Sequence, residues 1–258
     1  MIQQAGKVAL VTGSSRGVGA AVAKELATKG WKVVVNYSRS EDQAREVEEE
    51  CRRLGGETLL CRADVASDED CRRMVGEVTA KWGRLDALVN NAATTKFCNH
   101  RDLEGLTAED FQHIYAVNLV GAYQMTRAAA PHLKASGAGS VVNVASIAGI
   151  TGMGSSIAYC ASKGALITMT LSLARIMGPE IRVNAVCPGF IEGNWLREGM
   201  GAKTYEVVKE NWGKAAPLRV TATPETVAEA IIYFITGAPL VTGETLLLDG
   251  GYHLALPR

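Results

Sequence analysis

Val8-Ala9-Leu10-Val11-Thr12-Gly13-Ser14-Ser15-Arg16-Gly17-Val18-Gly19 passes from an unbroken apolar stretch straight into a glycine-rich turn. The apolar part, Lys7–Val11 with its leading lysine, reads as a short strand buried on both faces. The glycines after it let main-chain amides approach a ligand. They place Gly13, Ser15, Arg16, Gly17, Val18 and Gly19 at the start of a helix, where free N–H groups and the helix dipole favour an anion. A glycine-rich loop alone can be no more than a tight turn. Between the first strand and first helix of an alternating chain it is a pyrophosphate cradle.

The chain does alternate. β-branched runs at Lys7–Val11, Lys32–Asn36, Thr58–Cys61, Leu85–Asn90, Ser140–Val144, Ile181–Val186 and Thr245–Leu248 read as buried parallel strands. The helices between them are well punctuated. Ser40-x-x-Gln43 has the form of a capping box and Gly55-Gly56 follows as a stop, Ser67 opens a helix that Gly83 closes, and Thr223-Pro224-Glu225 supplies a cap, a first-turn proline and an acid. Strand and helix in alternation over residues 1–258, with no linker or repeat, predict one doubly wound α/β domain: a mostly parallel seven-stranded sheet with helices on both faces.

The composition excludes several classes. With 47% apolar and 21% charged residues the chain is globular, and 27 Lys plus Arg against 27 Asp plus Glu leave no basic field for nucleic acid or an anionic membrane. The Arg52-Arg53 and Arg72-Arg73 doublets read as solvated helix faces. Six cysteines are scattered without a C-x-x-C, and His100, His113, His132 and His253 form no cluster, so reduced thiols and no catalytic metal are expected. A polar Met1–Gly6 and the lack of a long apolar run predict a soluble, cytoplasmic protein.

Tyr159 and Lys163 are four residues apart, so a helix puts both on one face, and Ser146 stands upstream at the end of an apolar run. A free phenol titrates near 10, too high for easy proton exchange at neutrality. An ammonium about 4 Å away at an effective dielectric of about 20 contributes roughly 4 kcal/mol, enough to bring the phenol down by about three pKa units. With Ser146 holding a carbonyl oxygen, the set fits proton transfer to a ketone. A second Y-x-x-x-K, Tyr205 and Lys209, has no serine-bearing strand before it, and Tyr205 reads as an ordinary helix-surface residue.

The end of the second strand bears on which dinucleotide binds. Asn36-Tyr37-Ser38-Arg39 carries no carboxylate before Glu41, whereas an acid there would hold the ribose hydroxyls of NAD. Arg39, with Arg16, forms a cationic clamp suited to a 2′-phosphate, so NADP(H) is favoured over NAD(H).

These motifs, in this order, resemble the short-chain dehydrogenases/reductases over essentially the whole chain. The resemblance rests on Thr12–Gly19, Asp64-Val65, Asn90-Asn91-Ala92, Asn118, Ser146, Tyr159 with Lys163, Pro188-Gly189 and Asp249-Gly250-Gly251. It implies that Asp64 and Val65 contact the adenine, and that Asn91, Ala92 and Ala93 line its ribose. It gives Lys163 the nicotinamide ribose and the lowering of the Tyr159 pKa, gives Asn118 a water leading to Lys163, and sets Pro188, Gly189 and Ile191 against the nicotinamide. Tyr37 and Ser38 join Arg39 on the adenosine side.

Two departures stand out. Ala93 occupies a position that is usually glycine, which is tolerable if it needs no positive φ, and Gly193-Asn194 replaces a threonine that commonly contacts the cofactor. Residues 190–215 hold the loop that covers substrate in relatives. Trp195, Met200, Tyr205 and Trp212 there read either as a lid or as helix packing. Thr94, Thr95, Lys96 and Phe97 form a second wall, with Ile147 and Met153 beside the substrate.

The pattern looks most like 3-oxoacyl-(acyl-carrier-protein) reductases: hydride to the carbonyl carbon, a proton from Tyr159 to the oxygen. The alternatives are an alcohol, sugar or steroid dehydrogenase working oxidatively, or a dinucleotide-binding sensor without chemistry, which the intact Ser146, Tyr159, Lys163 and Asn118 argue against. The resemblance further implies a homotetramer built through the helices bearing Asn118 and Tyr159, with the Tyr252–Arg258 tail reaching a neighbour.

Overall fold

The computed structural model describes residues 5–255. Its strands are β1 (Val8–Val11), β2 (Lys32–Tyr37), β3 (Thr58–Arg62), β4 (Ala87–Asn90), β5 (Gly139–Val144), β6 (Ile181–Pro188) and β7 (Thr245–Leu248). They form one seven-stranded sheet in the order β3-β2-β1-β4-β5-β6-β7, and every pairing is parallel. Each strand lies where a β-branched run predicted it, with ends displaced by at most two residues.

Successive side chains of β1 enter different cores. Ala9 and Val11 pack with α1 (Gly17–Thr28), α2 (Glu41–Arg53) and α10 (Pro224–Thr236), while Val8 and Leu10 pack with α3 (Asp68–Trp82), α5 (Ala122–Ala135) and α7 (Ile157–Met177). This double burial is why the strands read as continuous apolar runs. The remaining helices are α4 (Ala108–Tyr115), α6 (Ala148–Thr151), α8 (Asn194–Met200) and α9 (Ala202–Ala215), and a π-helical turn over Ala116–Gly121 joins α4 to α5.

The helix punctuation largely holds. Ser67 caps α3 by accepting from the Asp70 amide, Gly83 closes it in the left-handed conformation, and Thr223 forms a capping box with Thr226 behind Pro224. Ser40 does precede α2 but makes no side-chain cap, so the capping box read there is not formed. The expectation that no apolar run reaches the length of a membrane span also needs correction. α7 has 21 residues, and an 18-residue window of it has a mean hydropathy of 1.3, which reaches that range by length and composition; half of that window is buried inside the protein. The tail read as reaching a neighbour is described only to residue 255, and residues 1–4 of the polar N-terminus lie outside the described part.

The strand order reverses between β1 and β4, which are neighbours although three segments of chain separate them. At such a switch point the two crossovers leave in opposite directions and a crevice opens at the carboxyl ends of the strands. Two buried polar side chains shape it. Thr12 Oγ1 donates to the Val89 carbonyl and accepts from the Asn91 and Ala92 amides at 3.0 Å each, tying β1 to the turn after β4. Asn36 accepts from the Gly13 amide at 2.9 Å and donates to the carbonyls of Ala63 (3.1 Å) and Cys61 (3.3 Å), joining the ends of β1, β2 and β3. Replacing Asn36 by leucine leaves these buried groups unpaired. The Asn36→Leu variant is therefore expected to lose about 2–3 kcal/mol in urea unfolding, and a loss below about 0.5 kcal/mol would contradict the role given to this amide.

Candidate active site

A cleft of about 1470 Å³ opens at the switch point. Its first wall is the glycine-rich turn. Gly13 and Gly17 have φ of +60° and +56°, a region that L side chains rarely adopt, and a Cβ on Gly19 would lie 2.6 Å from Asn91 Nδ2 and 2.7 Å from the Gly13 carbonyl. No side chain caps α1, so its first-turn amides face the cleft unpaired. Gly13, Ser15, Arg16, Gly17, Val18, Tyr37, Ser38, Arg39, Asp64, Val65, Asn91, Ala92 and Ala93 all line this end. Gly19 does not; its part is to let α1 pack against Asn91. Ala93 takes no positive φ, since Arg219 is the one non-glycine residue that does among those described, so the methyl in place of glycine is unstrained.

At the other end stand Ser146, Tyr159 and Lys163, the residues that the sequence marks for proton transfer. Tyr159 and Lys163 share a face of α7, with the Lys163 ammonium 5.6 Å from the centre of the Tyr159 ring. Ser146 lies in the turn after β5, where its Oγ accepts from the Ala148 amide at 3.1 Å. Ser156 starts α7 by accepting from the Tyr159 amide at 3.2 Å, which fixes the turn that presents the phenol. Pro188, Gly189 and Ile191 complete the wall, and Ile147, Met153 and Trp195 border the same space.

The electrostatics differ from the sequence-based expectation. Burial pushes the Tyr159 phenol above its ordinary value; the Ser146 hydroxyl pulls it back only partly. Burial lowers Lys163 to about 8, and its ammonium donates to the Val144 carbonyl at 2.7 Å. The Coulomb argument assumed a fully charged lysine in a polarisable medium, and desolvation of both groups outweighs it. The phenol is therefore held in its protonated, proton-donating form.

Other expectations are refined. Asn118 lies on the π-helical turn, donates both amide hydrogens, to the Thr94 carbonyl and Ser162 Oγ at 3.0 Å each, and accepts from the Thr94 amide at 2.8 Å. Its side chain thus secures the Thr94 wall and α7, leaving little but the main-chain carbonyl for a water. Thr95 does not line the cleft; its hydroxyl is hydrogen-bonded to that of Ser155 at 2.7 Å. Lys96 likewise pairs with Asp110 at 2.7 Å. Tyr205 is not a surface residue but is buried, with its ring 5.2 Å from Phe190 and its hydroxyl accepting from the Gly193 amide at 3.2 Å. It anchors the loop that carries α8. Its partner Lys209 pairs with Glu192.

Several cleft residues carry no sequence motif. His100 and His113 both reach the lining although nothing in their spacing groups them, and His100 Nε2 is buried there without a partner. Glu198 of α8 pairs across the cleft with Arg16 at 3.5 Å. No group of three His, Cys, Asp or Glu among the described residues is placed to hold a metal ion, and the described cysteines are unbridged.

Residues 13–253 match the family described as enoyl-(acyl carrier protein) reductase. This chain is a short-chain dehydrogenase/reductase. It is 45% identical over 247 residues to a Streptomyces violaceoruber protein assigned as ketoacyl reductase 2 of the granaticin polyketide synthase, covering 96% of each chain. It is 32% identical over 250 residues to the 3-oxoacyl-(acyl-carrier-protein) reductase FabG of Staphylococcus epidermidis, covering 96% of this chain and 99% of that one. Among solved structures, a protein from Burkholderia xenovorans assigned to the short-chain dehydrogenases/reductases superposes with a TM-score of 0.89 at 41% identity, over 96% of this chain and 98% of that one. NAD⁺-bound xylitol dehydrogenase gives the same TM-score at 27% identity, over 96% of this chain and all of that one. The chain is accordingly an oxidoreductase that works with a nicotinamide dinucleotide.

If charged Lys163 serves the reaction, reduction weakens as that proton is lost. The kcat/KM for reduction is expected to fall above a pH of about 8, and a profile flat up to the ordinary lysine value of 10.5 would contradict this.

Proposed function

We propose that the protein is an NADP(H)-dependent reductase of ketones, with 3-oxoacyl thioesters as its substrate class. The observation that carries this reading is the cluster of half-buried Ser146 with buried Tyr159 and Lys163 at the end of a cleft whose other end is an uncapped helix start. When bound, the nicotinamide cofactor supplies the hydride that goes to the carbonyl carbon. Ser146 hydrogen-bonds the carbonyl oxygen and Tyr159 gives it a proton, while Lys163 lies under the phenol and helps restore its proton. Asn118 is a positioning residue in this scheme, through Thr94 and Ser162. Asp64 keeps a carboxylate oxygen for the adenine amine after accepting from the Ala66 amide at 3.0 Å. Pro188, Gly189 and Ile191 form the nicotinamide wall.

The names of the ketoacyl reductase and FabG relatives agree with this reading.

Preference for the 2′-phosphate rests on Arg39. It is exposed at the cleft wall and makes no salt bridge among the described residues, whereas Glu41, the nearest acid, is taken by Arg45 at 2.6 Å. Arg16, shared with Glu198, is the weaker half of the clamp. The homotetramer reading has support in exposed apolar side chains on the expected helices, Tyr123 on α5 with Leu171 and Ile176 on α7. Unbridged cysteines suit a cytoplasmic location.

The test is NADPH oxidation with acetoacetyl-CoA, together with dissociation constants for both cofactors. Turnover is expected with NADPH, and Arg39→Ala should weaken NADPH binding about 10–100-fold while leaving NADH unchanged. Equal affinity of the native protein for NADPH and NADH would overturn the cofactor assignment, and no reduction of any ketone would overturn the reaction.

A further inference from the structure

The substrate end of the cleft is faced by aromatic rings in mutual contact. Trp195, on α8, lies with its ring 6.1 Å from Tyr159 and 6.0 Å from Phe97, the latter edge-on at 60°. Phe97 also reaches under α8, where a Cβ on Gly199 would come within 1.9 Å of its ring. Trp195 thus stands beside the proton donor and against the opposite wall. A ring received between Phe97 and Trp195 would part this pair beside Tyr159.

The helix carrying Trp195 is built to yield. None of its residues is buried, and Gly193 and Gly201 bracket it with φ of 151° and 81° and nothing within 4 Å of where a Cβ would sit. What enters is then selected by what it restores. A saturated chain recovers burial alone, whereas a flat ring also recovers the edge-to-face contacts that opening breaks, each worth about threefold to tenfold in affinity.

Charge gives the second constraint. Of the charged side chains along the cleft, Glu198 pairs with Arg16 and Glu192 with Lys209, while Arg39 and Asp64 lie at the adenosine end. Lys96 is held by Asp110. Among the described residues, no lysine or arginine of the cleft wall beyond Lys163 is left to recognise an anionic group near the reacting carbonyl; the other basic side chains there are His100 and His113.

We propose that the ketone reduced here is borne on an uncharged, planar aromatic ring system, received between Phe97 and Trp195 as α8 swings on Gly193 and Gly201. The inference rests on the ketone-reductase reading and narrows its substrate class. The reaction is unchanged: hydride to the carbonyl carbon, the proton of Tyr159 to its oxygen.

The test compares 2-tetralone with 2-decalone, one skeleton with and without the aromatic ring, using NADPH and with acetoacetyl-CoA alongside. The native protein is expected to favour 2-tetralone in kcat/KM by about tenfold. In Trp195→Leu and Phe97→Leu that ratio should collapse toward one, whatever the absolute rates, while the NADPH dissociation constant stays as in the native protein. A native ratio near one, or a ratio that survives both substitutions, overturns the inference. Reduction of acetoacetyl-CoA with neither bicyclic ketone accepted also overturns it and leaves the reductase reading standing. Failure of all three substrates with NADPH still bound removes the reading itself.

Discussion

Lys163 donates to the main-chain carbonyl of Val144 from a position that water does not reach, one helical turn from a phenol equally buried. Holding an ammonium there is costly. A fall from 10.5 to about 8 corresponds to about 3 kcal/mol of stability forgone at neutral pH, recovered as the pH rises between those two values because the unfolded chain then keeps the proton that the folded chain has lost. The fold meets that cost because the charge occupies the one place where it can act on Tyr159. The same burial that depresses the lysine keeps the phenol protonated, so one desolvated pocket sets both halves of the proton transfer.

That pocket depends on the sheet. Helices on both faces bury β5 and β6 along nearly their whole length, and the reversal of strand order beside β1 opens a crevice at the carboxyl ends of the central strands. Thr12 and Asn36 close the crevice floor by pairing main-chain groups at the ends of β1, β3 and β4 and the turns after them, which ties the glycine-rich turn to the Asn91 turn. Over this floor lies α8, none of whose residues is buried, tied down through Tyr205 and bracketed by glycines.

The sheet and the glycine-rich wall of the cleft were legible because their determinants are local. A glycine-rich turn after an apolar run needs nothing distant to be recognised, and β-branched runs marked strand ends to within two residues. The site's polarity was less legible. Spacing placed Tyr159 beside Lys163, but the direction of the phenol's shift depends on how much protein surrounds both, which spacing does not carry. Tyr205 was misread for a similar reason: its charged sequence neighbours suggest a surface, while it is buried because the start of the same loop, at Phe190 and Gly193, folds back against it. The π-helical turn at Asn118 has no compositional mark, and His100 and Glu198 enter the cleft only through the packing of loops remote in sequence.

The claim that a buried, protonated Tyr159 delivers the proton is tested most directly by Tyr159→Phe. The substitution keeps the ring and removes only the hydroxyl, so kcat for ketone reduction should fall by about 10²–10⁴-fold while the NADPH dissociation constant moves by no more than about twofold. Retention of kcat within about tenfold, with the fold intact, would place the proton donor elsewhere and contradict the account.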